Sequence, residues 1–443
     1  MSVVRAALAA HIPSGARVCV GLSGGVDSSV LLDCVARLQP ELRYELGALH
    51  VHHGLSPHAG SWARHCQAQC DRLGLALAVH EVEVITRGEG VEAAARHARY
   101  AAFARSNADW LLLAHHADDQ AETLLHNLLR GAGVKGAAAM PLTRALGAGC
   151  PTLLRPMLAL RRADLEAYAR GHGIDWIEDE ANRNPRYARS ALRHEILPAM
   201  ERRWPAAVST LARAAGLFAE ADQLLQEIGA ADLRACTCDG ALDTAALSRL
   251  PAPRARNGLR VWLAGHGIPA PAAQRLDEFL RQSVTADMAQ TMEWRCGDRL
   301  VFRYQGRLHC LALPAAVPAR LAWRGESELD WAGTRIVMRP AQAVGICCQR
   351  LQGAQVEFRR RSGGERLRLH GHQHALKQLF QQYGIAPPLR ALMPLLYCGD
   401  QLVWVPGIGI ADDWRTGAAA AGLQPGWDVL HPSRDNALGA APD

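Results

Sequence analysis

The chain has 443 residues, which is too long for one ordinary hydrophobic core and predicts two or three domains. Hydrophobic residues make up 49% and charged residues 21%, values that exclude wholesale disorder and a fibrous protein. No apolar run approaches the roughly 18 to 20 residues that a membrane helix needs. The N-terminus also lacks a basic start followed by a long apolar stretch, so we expect a cytoplasmic protein without a membrane partner.

The twelve cysteines are scattered along the chain, and none has the two-residue spacing of zinc or redox pairs. We therefore expect reduced thiols, with Cys19 and Cys34 buried, and no structural zinc. The net charge is +6, and only Lys135 and Lys377 are lysines. Because arginine presents a planar fork to phosphate, this balance is compatible with a nucleic-acid partner without proving one.

Residues 15 to about 150 alternate short apolar runs with helical patterns, which is typical of βαβ units. Strands are predicted at Arg17–Leu22, Tyr44–His52, Leu77–Val84 and Trp110–His115, and a helix is predicted from Ser28. The predicted fold class is α/β, with a doubly wound, mostly parallel and Rossmann-like sheet.

Further along, alanine and leucine recur at helical spacing from Ala207, and short strand-like pieces follow Met288. A proline-bearing stretch from Leu313 to Arg320 resembles a linker. The predicted division is a first domain at 1–205, a mainly helical domain at 206–312, a linker with strand-like segments at 313–353, a small α+β C-terminal domain at 354–430, and a loose tail at 431–443.

The first chemical motif is Ser23-Gly24-Gly25-Val26-Asp27-Ser28, between the first strand and the first helix. Two glycines let successive N–H groups point at an anion, and the helix start adds partial positive charge, so a phosphate is the predicted ligand. The loop lacks the lysine of a Walker A motif. The alternative is a strand-to-helix turn with a capping serine, but such a turn does not require Asp27 and Ser28 at the helix mouth.

The second motif is His115-His116-Ala117-Asp118-Asp119-Gln120-Ala121-Glu122-Thr123, at the sheet edge where open α/β folds bind ligands. Asp119 and Glu122 are three residues apart on one helix face, where their carboxylates could hold Mg²⁺ against a bound phosphate. The alternative is helix capping by acidic residues. Arg130-Gly131 is predicted to form a second glycine-bearing break near the same end of the sheet, so His115, Arg130 and Gly131 are candidate contacts for the same phosphate-bearing ligand.

The SGGxDS loop resembles that of the PP-loop ATP pyrophosphatase superfamily, whose members cleave ATP to AMP and pyrophosphate and adenylate a carbonyl oxygen. Within it, the strings LLLAHHADDQAETLLHNLLRGAG and VEAAARHARY closely resemble the tRNA(Ile)-lysidine synthases. A third stretch from Asp179 to Pro198 is similar to the family's segment, with departures at Ala181 and at Arg189-Ser190. RSGGE, LKQLF and VPGIG near the C-terminus resemble the C-terminal domain of longer members.

The resemblance implies that both motifs bind ATP, that the domain at 1–205 is catalytic and that the domains at 206–312 and 354–430 bind tRNA. It also implies a two-step reaction on the wobble cytidine of an isoleucine tRNA with a CAU anticodon. ATP and L-lysine would be co-substrates and Mg²⁺ a cofactor, with no obligatory protein partner. Asp27 would hold the ammonium of lysine or help to remove its proton, since the uncharged amine is the nucleophile. Arg96, and more weakly Arg189, would neutralise charge on the phosphates. The alternative for Arg96 is a solvated helix face.

A basic cluster near the C-terminus is interleaved with aromatic and histidine residues, which favours contact with the acceptor stem of tRNA. Its members are Arg359, Arg360, Arg361, Arg366, Arg368 and Lys377. The alternative is a solvated polar face.

Three other classes of protein share parts of this pattern. A PP-loop tRNA thiolase commonly needs paired cysteines, and the chain has no Cys-x-x-Cys. A PP-loop amidotransferase or NAD synthetase would need no basic third domain. A non-enzymatic RNA-binding protein would not need the intact loop.

Overall fold

The computed structural model describes residues 1–54, 58–86, 90–178, 188–238, 240–285, 292–417 and 420–428. The chain divides into two compact units, Met1–Leu224 and Leu225–Asp443. The family-like stretch at 179–182 and the predicted tail at 431–443 lie outside the described residues. Within the described ranges, the helices are all too short or too polar to span a bilayer.

Helices and strands alternate through the first unit. Its helices are α1 (Ser2–His11), α2 (Val26–Leu42), α3 (Ala59–Leu73), α4 (Val91–Ala104), α5 (Ala117–Leu129), α6 (Val134–Ala137), α7 (Arg162–Gly171), α8 (Ala188–Ala191) and α9 (Leu197–Arg203), with a π-helical turn at Leu192–Ile196. Its strands are β1 (Arg17–Gly21), β2 (Glu45–His52), β3 (Ala76–Glu81), β4 (Trp110–Leu112), β5 (Thr143–Ala145) and β6 (Thr152–Leu154). Helix α10 (Ala207–Cys236) crosses the boundary between the units.

The six strands of the first unit form one sheet in the order β3-β2-β1-β4-β6-β5. All neighbouring pairs are parallel except β5 with β6. Val18 and Val20 on β1 pack on one face with residues of α1, α2 and α7, while Cys19 packs on the other face with Phe103 of α4. Both faces are covered because successive strand residues point to opposite sides. The predicted doubly wound α/β sheet is confirmed.

The helix after β1 begins two residues earlier than predicted, at Val26, so that Asp27 and Ser28 lie in its first turn. Val30, Leu31 and Cys34 are buried on its inner face, as their helical spacing predicts. This start places the carboxylate of Asp27 at the sheet edge where β1 ends.

The second unit contains three further sheets and a hairpin. After α10, its helices are α11 (Thr244–Ser248), α12 (Ala252–Gly265), α13 (Ala273–Thr285), α14 (Cys348–Leu351), α15 (Leu376–Gln382) and α16 (Pro387–Leu392). Its strands are β7 (Thr237–Cys238), β8 (Ala241–Asp243), β9 (Glu293–Cys296), β10 (Arg299–Tyr304), β11 (Arg307–Ala312), β12 (Arg320–Ala322), β13 (Glu328–Trp331), β14 (Thr334–Gln342), β15 (Ile346–Cys347), β16 (Val356–Arg360), β17 (Arg366–Leu369), β18 (His372–Ala375), β19 (Pro394–Cys398), β20 (Gln401–Val405), β21 (Gly409–Ile410) and β22 (Ala421–Asp428).

The residues predicted as a mainly helical domain at 206–312 contain α10 to α13, together with β7 to β11. A sheet in the order β7-β8-β11-β10-β9 packs against α11, α12 and α13, and Leu259 of α12 shares its core with Val301 of β10. Strands of three to six residues are difficult to detect in the sequence because their stability comes from distant partners.

The residues predicted as a linker with strand-like segments at 313–353 contain β12 to β15, and no helix or strand covers 313–319, where the proline-bearing linker is predicted. The strands belong to the C-terminal core, since Trp331 and Ile336 are buried in the same cluster as Phe358. Strand β14 pairs with β22 over eight residues, Arg335↔Asp428 to Gln342↔Ala421. This pairing with a segment about 80 residues away makes the second part of the stretch a sheet.

Candidate active site

The glycine loop between β1 and α2 has a conformation that glycine alone adopts readily. Gly24 has φ of +84°, in the left-handed region, and its carbonyl accepts a hydrogen bond from the amide of Ile177 at 2.9 Å. A Cβ atom on Gly24 would lie 3.3 Å from Cys66 Sγ. The Ser28 hydroxyl donates to Gly25 O at 3.0 Å and accepts from the amide of Ser23 at 3.1 Å. The side chain of Ser28 therefore holds the loop in shape.

A cavity of about 400 Å³ opens beside this loop. Ser23, Gly25, Asp27 and Ser28 line it on the loop side, and His115 and Asp119 line it at the start of α5. Helix α4 supplies the facing wall with Arg96, Arg99, Tyr100 and Phe103. The volume is in the usual range for a small-molecule site, and the first turn of α2 supplies a partial positive charge at its edge.

Three carboxylates converge on the buried imidazole of His116. Its Nε2 lies 3.7 Å from Asp27 Oδ2 and 3.4 Å from Asp119 Oδ2, and its Nδ1 lies 3.5 Å from Asp118 Oδ2. Burial disfavours the charged ring, but these carboxylates outweigh it and raise the pKa of His116 to about 10. At neutral pH His116 is therefore a cation that allows Asp27 and Asp119 to lie close together.

The carboxylate of Asp118 is held by hydrogen bonds from Arg161 and Arg162. Arg161 donates to both of its oxygens, at 3.3 and 3.1 Å, and the amide of Arg162 donates at 2.9 Å. Burial alone would raise the pKa of Asp118, but His116, Arg161 and this amide hold it well below its usual range. The ionised carboxylate thus ties the start of α5 to the start of α7.

The two carboxylates predicted to hold a metal both contact Arg193. Its guanidinium donates to Glu122 at 2.6 and 2.9 Å and to Asp119 Oδ1 at 2.9 Å. Glu122 is buried, and burial raises its pKa although Arg193 opposes the shift. Of the two predicted ligands, Asp119 lines the cavity.

His115 has the opposite protonation state to its neighbour. Arg155, whose side chain is buried, donates from Nε to His115 Nδ1 at 3.2 Å and from Nη1 to Pro141 O at 2.7 Å. Burial lowers the pKa of His115 to about 4, with Arg155 adding to the shift. Because Nδ1 accepts a hydrogen bond, the proton of the neutral ring is on Nε2. His115 therefore offers a hydrogen-bond donor in the cavity.

The predicted arginines lie in different places. Arg96 lines the cavity, with its guanidinium 5.1 Å from the centre of the Tyr100 ring and Nη2 3.4 Å from the Tyr100 hydroxyl. Arg189 is half-buried on α8, four residues before Arg193. The placement of Arg130 and Gly131 at the loop end of the sheet is corrected by the structure. They follow the last residue of α5, a helix of 13 residues that carries them about 20 Å from its start.

The C-terminal basic residues are largely engaged within their own unit. Arg359 donates to Glu357 at 2.6 Å, Arg361 pairs with Glu365 at 3.4 Å, and Arg368 pairs with Asp413 at 3.3 Å. Arg366 donates to Gln373 O at 3.2 Å. Arg360 and Lys377 are exposed, and the described part of the chain shows no side-chain partner for either.

Sequence reasoning missed four residues of this site: Arg99, Arg155, Arg161 and Arg193. The sequence carries a weak signal for Arg155. This residue directly follows the strand Thr152–Leu154, and an arginine buried at such a position needs hydrogen-bond partners. Among the residues that the structure describes, no group of three or more His, Cys, Asp or Glu side chains is placed to hold a metal ion.

Comparisons with known proteins match the chain along its length. A PP-loop domain model matches residues 3–200, a TilS substrate binding domain model residues 242–309, and a TilS substrate C-terminal domain model residues 356–427. The tRNA(Ile)-lysidine synthase of Azoarcus sp. is 40% identical over 95% of this chain and 93% of its own length. The chain belongs to the tRNA(Ile)-lysidine synthase family.

Other relatives in this family have similar identity. The tRNA(Ile)-lysidine synthase of Chromobacterium violaceum is 42% identical over 93% of this chain and 95% of its own length. That of Nitrosomonas europaea is 39% identical over 97% and 95%. The predicted membership of the tRNA(Ile)-lysidine synthases, with an ATP-using PP-loop domain, is confirmed.

Proposed function

We propose that the chain ligates L-lysine to C2 of the wobble cytidine of tRNA(Ile) with a CAU anticodon. The reaction runs through an adenylated tRNA and releases AMP and pyrophosphate. One observation carries this proposal: the glycine loop, Asp27, Asp119, neutral His115 and Arg96 all line one cavity. The family membership supports the choice of substrate.

The phosphates of ATP are proposed to bind at the loop of Ser23, Gly24 and Gly25, beside the first turn of α2. Gly24 leaves no side chain between the backbone and a ligand, and the helix start favours negative charge. Ser28 would keep this backbone preorganised through its two hydrogen bonds.

The residues present also fit Mg²⁺. Asp27 Oδ1 is buried and has no hydrogen-bond partner in the ranges that the structure describes, and Asp119 lines the same cavity. Mg²⁺ is commonly bound by one or two carboxylates together with substrate phosphates and water. Asp119 would hold it together with phosphate oxygens and water, where it would neutralise charge on the phosphates and leave Asp27 Oδ1 for the lysine amine. Glu122 suits this role less because, unlike Asp119, it does not line the cavity.

In the first step, the carbonyl oxygen on C2 of the cytosine attacks the α-phosphorus, and the bond from that phosphorus to pyrophosphate breaks. Negative charge on the phosphate oxygens is stabilised by donors already in place. Arg96 supplies a guanidinium, and His115 supplies its Nε2–H. Arg189 is a weaker candidate, since it is only half-buried on α8.

In the second step, an uncharged amine of lysine attacks C2, and the carbon–oxygen bond to AMP breaks. Asp27 is suited to hold the ammonium form and to accept its proton because Asp27 Oδ1 has no described partner. The positive charge of neighbouring His116 offsets the repulsion between the carboxylates of Asp27 and Asp119.

A sulfur-transferring reaction is disfavoured by the same geometry. The cysteine that contacts the loop is Cys66, and burial raises its pKa to about 12. A thiol that stays protonated is a poor nucleophile and a poor sulfur carrier.

The proposed test is incorporation of radiolabelled L-lysine into an unmodified tRNA(Ile) transcript with a CAU anticodon. We expect ATP-dependent labelling by the wild type, loss of labelling in Asp27→Asn, and normal labelling in Asp71→Asn, an exposed carboxylate on α3. Release of AMP with tRNA but without labelling would indicate a different nucleophile. Absence of AMP would exclude adenylation.

A further inference from the structure

Three guanidinium groups surround the phenol of Tyr100 beside the cavity. Arg96 lies 5.1 Å and Arg144 5.4 Å from the ring centre, and Nη2 of Arg155 lies 3.5 Å from the hydroxyl oxygen. We call Arg96, Arg144 and Arg155 the Tyr100 arginine cluster. Arg96 and Arg144 are exposed, whereas Arg155 is buried behind them.

The Tyr100 arginine cluster differs from other arginines of the first unit in its partners. Arg161 and Arg193 each contact two carboxylates. Among the described residues, no carboxylate forms an ion pair with any member of the cluster. Like charges repel one another, so binding of an anion beside the cluster lowers its electrostatic free energy.

The strand order separates this cluster from the phosphate loop. Arg144 is on β5, the edge strand, and β1 is three strands away in the order β1-β4-β6-β5. At about 4.8 Å per strand, this is about 14 Å across the sheet. Arg144 is paired with Leu153, so its side chain is on the face where Leu153 packs with Phe103 and Tyr100. The cluster therefore extends from the cavity to a rim well away from the loop.

We propose that Arg144, the outermost member of the Tyr100 arginine cluster, binds a backbone phosphate of the tRNA strand next to the target cytidine, while Arg96 faces the ATP cavity and buried Arg155 adds positive charge behind them. The base would enter the cavity while its phosphodiester stays at the rim, with Arg144 as the outermost contact. Proteins that act on single-stranded RNA loops hold the backbone by arginine and turn the base inward. This inference rests on the proposed function, because it requires an RNA substrate at this cavity.

The variant that tests the proposal is Arg144→Gln, since Arg144 is exposed and its removal leaves the core intact. The matched control is Arg105→Gln, which removes the same charge from an exposed position at the end of α4. We expect Arg144→Gln to weaken binding of the tRNA transcript roughly tenfold and to leave the Kd for ATP unchanged. The slope of log K against log salt should fall by about 0.7, the contribution of one phosphate contact in single-stranded RNA.

A modified RNA locates the contact. A neutral methylphosphonate at the phosphate beside the target cytidine should weaken wild-type binding and remove the difference between wild type and Arg144→Gln. Unchanged tRNA affinity in Arg144→Gln, or weaker ATP binding instead, would overturn the inference. Lysine labelling by the wild type is measured in the same preparation. Failure of that labelling counts against the reaction, and an unaltered Arg144→Gln Kd counts against the phosphate contact.

Discussion

His115 and His116 are adjacent in the chain but carry different charges at neutral pH because they face different partners. Arg155 approaches His115, and burial lowers the pKa of that ring to about 4. Asp27, Asp118 and Asp119 surround His116 and raise its pKa to about 10 against the effect of burial. One histidine is therefore a neutral donor and the other is a fixed cation.

Arg155→Met is expected to disturb the neutral histidine without touching the loop. The change leaves His115 Nδ1 and Pro141 O without their donor in a buried region, which costs about 1 to 3 kcal/mol in the free energy of unfolding. Without a hydrogen bond donated to Nδ1, the proton of neutral His115 is no longer restricted to Nε2. We expect altered nitrogen NMR shifts for this ring and slower AMP release with tRNA.

The control for this prediction is Arg170→Met, an exposed arginine on α7 that pairs with Glu166 at the surface. It should change neither measurement. An Arg155→Met protein with wild-type ring shifts and a wild-type rate of AMP release would show that Arg155 has no part in positioning His115.

At the residue scale, the sequence identified the groups that occur within short motifs. Ser23, Asp27, His115 and Asp119 stand in two runs of nine residues or fewer, and all four line the cavity. The missed arginines are far from their partners in the chain: Arg155 is 40 residues from His115, and Arg193 is 74 from Asp119. Spacing within a motif cannot reveal such pairs, because only the folded sheet brings them together.

The role of the loop between β1 and α2 in ATP binding can be tested by comparing two glycines. Gly24 and Gly74 both have positive φ, so alanine at either position should cost roughly 1 to 2 kcal/mol in the free energy of unfolding. A Cβ on Gly24 would also contact Cys66, whereas one on Gly74 meets nothing within 4 Å. We expect Gly24→Ala to weaken ATP binding and Gly74→Ala to leave it unchanged, as measured by titration alongside denaturant unfolding. Equal ATP affinities in the two variants would contradict the role of the loop.

Element boundaries show where sequence reasoning reached its limit. The strand-to-helix junctions at β1 and β4 were predicted because apolar runs and capping residues are local signals. The position of Arg130 and Gly131 was misplaced because the helical pattern of α5 was not followed to its end at Leu129. The strand-like segments predicted at 313–353 cannot be assigned to a sheet from the sequence, because the pairing partners of β12 and β14 lie elsewhere in the chain.

In the C-terminal unit, some basic residues form ion pairs within the fold, whereas others are exposed to solvent. The Glu365 side chain is 4% exposed, and its carboxylate pairs with Arg361, which also lies 5.4 Å from the centre of the Phe380 ring. Arg361→Ala should therefore lower the free energy of unfolding by about 2 kcal/mol. Lys377 is exposed, so Lys377→Ala should change stability by less than about 0.5 kcal/mol and weaken tRNA binding instead.

Denaturant unfolding and tRNA titration of both variants check this assignment. The outcome that would refute it is the reverse pattern, with Lys377→Ala destabilised and Arg361→Ala impaired in RNA binding alone. The sequence grouped these residues as one basic surface, since composition cannot distinguish a charge that holds a turn from one that faces solvent.

The placement of β22 has a consequence for how the protein is made. In its sheet the order is β13-β14-β22-β15, so the last of the described strands to be synthesised lies in the interior of the sheet. Until residue 428 has left the ribosome, β14 and β15 both lack their neighbour and expose unpaired backbone. The catalytic sheet needs nothing beyond β6 and can assemble during translation. Stop codons that remove β22 should thus yield aggregating chains that already carry a complete nucleotide loop.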